Sequence, residues 1–153
     1  MKIPSSVHRV PANSSSRNNE RIRQSTRESI ARYAHESRER IEQRLGELDQ
    51  EWDIERALEA NAAAIFLIGI SLGVFANRKW LFLPAAVAGF LLQHAVQGWC
   101  PPVPLLRRLG VRTPQEIEEE RYALKLLRGD FDGLRSGGDH DIDIDKVYNR
   151  VAH

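Results

Sequence analysis

At 153 residues and a net charge of +1, the chain has the length of one domain but offers no broad basic surface for nucleic acid. Its one cysteine excludes an internal disulfide and a cysteine-rich zinc site. Charge is unevenly spread: residues 1–56 carry 11 Lys/Arg and 10 Asp/Glu, residues 107–153 carry 9 and 10, and the 50 residues between carry only Glu59, Arg78 and Lys79. The average of 42% hydrophobic residues therefore hides a polar, apolar, polar order that argues against one compact water-soluble core.

Residues 1–24 open with MKIPSSVHRVPANSSSRNN, rich in Ser and Asn, with Pro4 and Pro11 and no apolar run, and read as a disordered tail. A secretory signal needs about 7–15 apolar residues in succession, and the two prolines spoil the amphipathic helix of a transit peptide. Ser25 and Glu28 have capping-box spacing and predict a helix start. From there Ile30, Tyr33, Ala34, Ile41, Leu45, Leu48 and Trp52 recur at steps of roughly three and four. Residues 25–56 thus read as an amphipathic helical arm with a narrow apolar stripe, bent or interrupted at Gly46. Such an arm packs lightly on a neighbour, makes a coiled-coil contact or lies on a membrane surface.

Ala57–Ala76 and Trp80–Cys100 are apolar stretches separated only by Asn77, Arg78 and Lys79. A helix rises 1.5 Å per residue, so about 20 residues cross a hydrocarbon layer of about 30 Å, and the short link forces the two to run antiparallel. Residues 57–106 are therefore expected to hold a two-span transmembrane hairpin; a buried hairpin in a soluble bundle is the alternative. Pro84 falls in the first turn of the second span, and Trp80 and Trp99 suit the membrane interface. Glu59 and Asn61 must lie near the headgroups or face protein. Arg38, Arg40, Arg44 and Arg56 before the hairpin and Arg107, Arg108 and Arg112 after it, against Arg78 and Lys79 in the turn, place both termini in the cytoplasm.

Gly69 and Gly73 form a GxxxG, and Ala86 and Gly89 lie on one face of the second span, so the four are expected to form the helix-packing face. Folding the chain about Arg78 sets Gly69 level with Val87 and Asn61 one residue from His94. Asn61, Gln93, His94 and Gln97 are the intramembrane polar residues, with His94 either a helix-to-helix hydrogen-bonding group or a ligand or proton site. Pro101, Pro102 and Pro104 are expected to end the second helix and leave Cys100 at the membrane boundary, as a small apolar residue or a reactive thiol.

Thr113, Pro114 and Glu116 supply an N-cap, a first-turn proline and a capping-box acid for a cytoplasmic helix over 114–128 that stops at Gly129. Residues 129–153 read as an acidic flexible tail. Its DHDIDID segment, Asp139–Asp145, fails the EF-hand pattern, because Lys146 falls where that loop needs glycine.

DIERALEANAAAIFLIGISLG and AGFLLQHAVQGWCPPVPLLRRLGVRT, with Gly98–Pro101 carrying most of the match, resemble the YgaP-like transmembrane domain family of small bacterial inner-membrane proteins over about residues 46–114. The resemblance implies a two-helix membrane hairpin. Some members carry a rhodanese domain that handles sulfane sulfur; this chain has none, and Cys100 alone matches the motif for such chemistry. The expectation is an all-α protein of the bacterial inner membrane: an anchored interaction module without catalysis, cofactor or metal. Its partners are the lipid bilayer and a protein or second copy held through the cytoplasmic helices, not nucleic acid. The alternative is a thiol or persulfide carrier using Cys100.

Overall fold

The computed structural model describes Ser5 and residues 7–132, all of whose regular elements are helical. Arg9–Ala12 forms α1, Ser16–Tyr33 α2, Arg38–Gln50 α3 and Ile54–Phe75 α4. A 3-10 turn, Arg78–Leu81, leads into α5 (Phe82–Gln97), followed by α6 (Val103–Leu109) and α7 (Pro114–Arg128). Ser15, Ser37, Asp53 and Thr113 each accept a hydrogen bond from the amide three residues on, which satisfies an orphan donor at the start of α2, α3, α4 and α7. The capping box of Thr113 and Glu116 and the left-handed Gly129 beyond Arg128 form as their residue types require.

The N-terminal segment departs from expectation. Residues 16–24 are helical rather than tail-like, and Ser25 lies inside α2 instead of opening it. Tertiary contacts supply what the local composition lacks: Val10 is buried with Ile54, Leu58, Cys100 and Val103, Ile22 is buried, and Asn19 accepts a hydrogen bond from Arg107. Nor is the arm continuous to residue 56. It breaks at Ala34–Ser37, where Ser37 caps a new helix, while α3 runs through Gly46 without interruption. The DHDIDID segment lies outside the described residues.

In place of loose arms, α2, α3 and α7 form a bundle. Ile41, Leu45 and Leu48 put one face of α3 against Ile117 and Leu124 of α7, with Tyr33 at the edge. Trp52, expected on that stripe, is exposed, and the Arg56 guanidinium lies 4.8 Å from its ring centroid.

The apolar helices α4 and α5 pack antiparallel. Gly69 and Gly73 are buried at this contact; a Cβ on Gly69 would come within 2.5 Å of Pro84 Cδ, and one on Gly73 would strike the Leu81 side chain. Gly69 is therefore level with Pro84 rather than Val87. The 3-10 turn rises about 2.0 Å per residue against 1.5 Å in an α-helix, so fewer residues return the chain to a given depth. Gly89 faces open space, a correction to its expected place on the packing face, and Ala86 is only half-buried. The second apolar helix stops at Gln97, not at Cys100. Gly98, at φ 76°, caps it, its amide donating to His94 O at 2.7 Å. The prolines begin α6 instead of ending α5, in keeping with their fixed φ at helix starts.

Candidate functional site

Two polar clusters stand out, one at the open end of the hairpin and one inside the bundle. At the hairpin, Asp53 caps α4 and so sets Glu55 in its first turn, facing the last turn of α5. Glu55 Oε2 lies 2.8 Å from His94 Nε2, and Glu55 Oε1 accepts from Arg9 Nη2 at 2.8 Å. A carboxylate only accepts, so His94 Nε2 carries the proton of this bond. His94 is buried, and its Nδ1 has no hydrogen-bond partner among the described residues. Asn13 ties the same end by donating to Gln97 O at 2.7 Å and to Arg9 O at 2.8 Å. His94 thus bonds helix to helix, as one of its two readings had it, but through Glu55. Asn61, the expected neighbour, bonds Ala57 O of its own helix at 2.7 Å. Gln93 and Gln97 are half-buried.

Cys100 is 5% exposed and packs among Val10, Ile54, Leu58 and Val103. Burial pushes its thiol above the ordinary range, which disfavours the thiolate. Cys100, Pro101 and Pro102 also wall an apolar cleft of about 200 Å³ between α4 and α5, with Leu58, Val87 and Leu91. An impermeant maleimide is expected to leave Cys100 unmodified in the folded protein from either side of a vesicle, and to label it after denaturation. Rapid labelling of the folded chain would show that the packing around Val10 opens.

The bundle cluster centres on Glu120. Ile117, Glu120 and Leu124 share a helical face, so this carboxylate occupies a core position of α7 and is 0% exposed. Its Oε1 accepts from Ser29 Oγ at 2.6 Å and Arg44 Nε at 3.0 Å, and its Oε2 from Arg112 Nη1 at 2.5 Å. Arg112 reaches on to Glu51 through Nε and Nη2 at 2.7 and 2.5 Å. A groove of about 320 Å³ lies over this network, lined by Arg21, Ser25 and Gly110 besides the paired side chains. Nearby Arg107, 1% exposed, holds Glu116 through Nη1 and Nη2 at 2.6 and 2.7 Å.

Burial alone would raise the Glu120 carboxyl, but hydrogen bonds from Arg44, Ser29 and Arg112 hold it below the ordinary glutamate value. Glu116 is lowered in the same way: burial opposes, while Arg107 and the Thr113 amide prevail. A carboxyl whose pKa is depressed by folding stabilises the fold above its unfolded pKa, and that contribution is lost as pH falls through the folded value. The urea midpoint of the bundle is therefore expected to hold from pH 7 to 5 and to drop below the ordinary glutamate pKa of about 4.3. Far-UV circular dichroism in detergent reads the change, and Glu120→Gln should flatten the acid slope.

The bundle cluster was not reached from the sequence, and at the hairpin His94 was singled out without Glu55 or Arg9. Arg107 and Arg112 read in the sequence as flanking cations. The overlooked signal was an acid at position 120, in step with Ile117 and Leu124. For Glu55 the signal was a carboxylate in a first turn opposite the His94 end of the hairpin. Among the described residues no three His, Cys, Asp or Glu side chains gather as a metal-holding set. No protein-family model, no curated protein and no solved structure matches the chain.

Proposed function

We propose that this is a small integral membrane protein whose α4 and α5 span the bilayer and whose bundle of α2, α3 and α7 is a membrane-anchored interaction module. One observation carries the reading. The helical stretch that ends with α4 and the 20-residue stretch Arg78–Gln97, the 3-10 turn together with α5, are long and apolar enough to cross a membrane, yet only 17% and 11% of their most apolar windows are buried within the protein. Phe75, Phe82, Leu67 and Leu92 lie exposed on them, a surface that water disfavours and lipid accepts. A core hairpin of a soluble protein would be enclosed.

The Lys/Arg bias supports cytoplasmic placement of both termini. It acts on the chain as it inserts, so the pairing of Arg107 and Arg112 in the folded bundle does not cancel their count. The resemblance to YgaP-like domains supports the bacterial inner membrane. Tyr122 and Leu126, one turn apart on the exposed side of α7, are the surface assigned to a protein partner or second copy. The module reading is preferred to the thiol carrier because Cys100 is buried and its thiol pKa is raised by that burial. Alkaline carbonate should leave the chain in the membrane pellet, and reporter fusions at Met1 and His153 should both read cytoplasmic. Release by carbonate contradicts the anchor; reporters on opposite sides contradict the hairpin.

A further inference from the structure

We infer that α6 is an interfacial helix whose outer face, Leu105 and Leu109 with Arg108 beside them, lies in the headgroup layer of the same membrane. The inference rests on the spanning assignment of α4 and α5 and adds a third, non-spanning membrane contact. Leu105 and Leu109 are 60% and 71% exposed and stand one turn apart, with Arg108 exposed next to them. The opposite face is fixed: Val103 is buried against Ile54 and Leu58, and Arg107 is bound to Glu116. Because Ile54 and Leu58 belong to the first turns of α4, α6 is held beside the end of the hairpin where that helix starts.

Three observations name the lipid surface as what covers this face. Only five residues separate Gln97 of α5 from Val103, so α6 cannot leave the vicinity of the bilayer. Within that link Pro101 and Pro102 border the apolar cleft shared with Val87 and Leu91, so the apolar surface of the spans continues towards α6. Trp52, exposed two residues before Ile54 and stacked with Arg56, marks the same level with the amphipathic aromatic and cation that membrane interfaces favour. Arg108 beside the leucines supplies a second cation suited to lipid phosphate.

The test uses the full chain in vesicles of phosphatidylcholine and phosphatidylglycerol, with a nitroxide attached at Leu109→Cys, Leu92→Cys or Glu119→Cys in turn. The parent, whose Cys100 is buried, gives the labelling background. At residue 109 the ratio of collisions with oxygen to collisions with a water-soluble nickel chelate should be several-fold higher than at 119, and lower than at 92. A water-like ratio at 109 with a lipid-like ratio at 92 overturns the interfacial helix and leaves the spans intact. Protection of 109 from both reagents overturns it in favour of protein contact, such as a second copy. A water-like ratio at 92 as well contradicts the spanning assignment itself.

Discussion

Glu120→Ala is expected to destabilise the bundle by about 3–5 kcal/mol, the cost of leaving buried charge without its partner. The carboxylate is wholly inaccessible and accepts from α2 through Ser29, from α3 through Arg44 and from the residue before the α7 cap through Arg112. Its removal strands the Arg112 and Arg44 guanidinium groups where water is scarce, while Glu51 and Glu47 compensate only from the rim. Glu119→Ala, one residue away on the exposed side of the helix, should stay within about 0.5 kcal/mol of the parent. Urea titration followed by circular dichroism in detergent makes the comparison. Equal midpoints for the two variants would mean that the Glu120 network contributes nothing to the bundle.

Replacing both Gly69 and Gly73 with Leu should separate α4 from α5, at about 1–3 kcal/mol for each overpacked site. At Gly69 even a Cβ would lie 2.5 Å from Pro84 Cδ and 3.3 Å from the Pro84 backbone nitrogen, so the obstacle is a rigid ring and main chain that cannot turn aside. Gly73 is blocked by Leu81, a flexible side chain, and should be the milder of the two sites. Gly89→Leu is the matched control, because none of the described residues lies within 4 Å of its added Cβ. Protease resistance of the purified variants should fall for the double substitution and hold for Gly89→Leu. The reverse pattern would place the helix contact on the other face of α5.

The contrast between Gly69 and Gly89 shows where the sequence was legible. Spacing alone set Gly69 and Gly73 on one face, and that face does pack. Spacing could not set the register across the hairpin, because register depends on the rise of the connecting turn, and Arg78–Leu81 wound as 3-10 rather than α. Local chemistry read well wherever one residue type dictates one geometry, as at Thr113, Glu116 and Gly129. It failed where order comes from distant partners. Val10 and Asn19 sit in a polar, proline-containing stretch with no local reason to fold, and are held by Cys100, Val103 and Arg107. Glu120 failed for a related reason: an acid early in a helix has a sufficient local explanation in the helix dipole, which hid its role as a buried partner for Arg44 and Arg112.

Spanning of the bilayer by α4 and α5 is tested most directly by single cysteines at Asn77, in the turn between them, and Ser37, in the bundle. Each is probed with a membrane-impermeant maleimide from either side of sealed vesicles. Asn77 precedes the 3-10 turn at the far end of the hairpin from Glu55 and His94, and Ser37 caps α3. Two crossings require the cysteines to label from opposite sides: Ser37→Cys in inside-out vesicles and Asn77→Cys in right-side-out ones. Labelling of both from the same side would mean that the apolar helices do not cross.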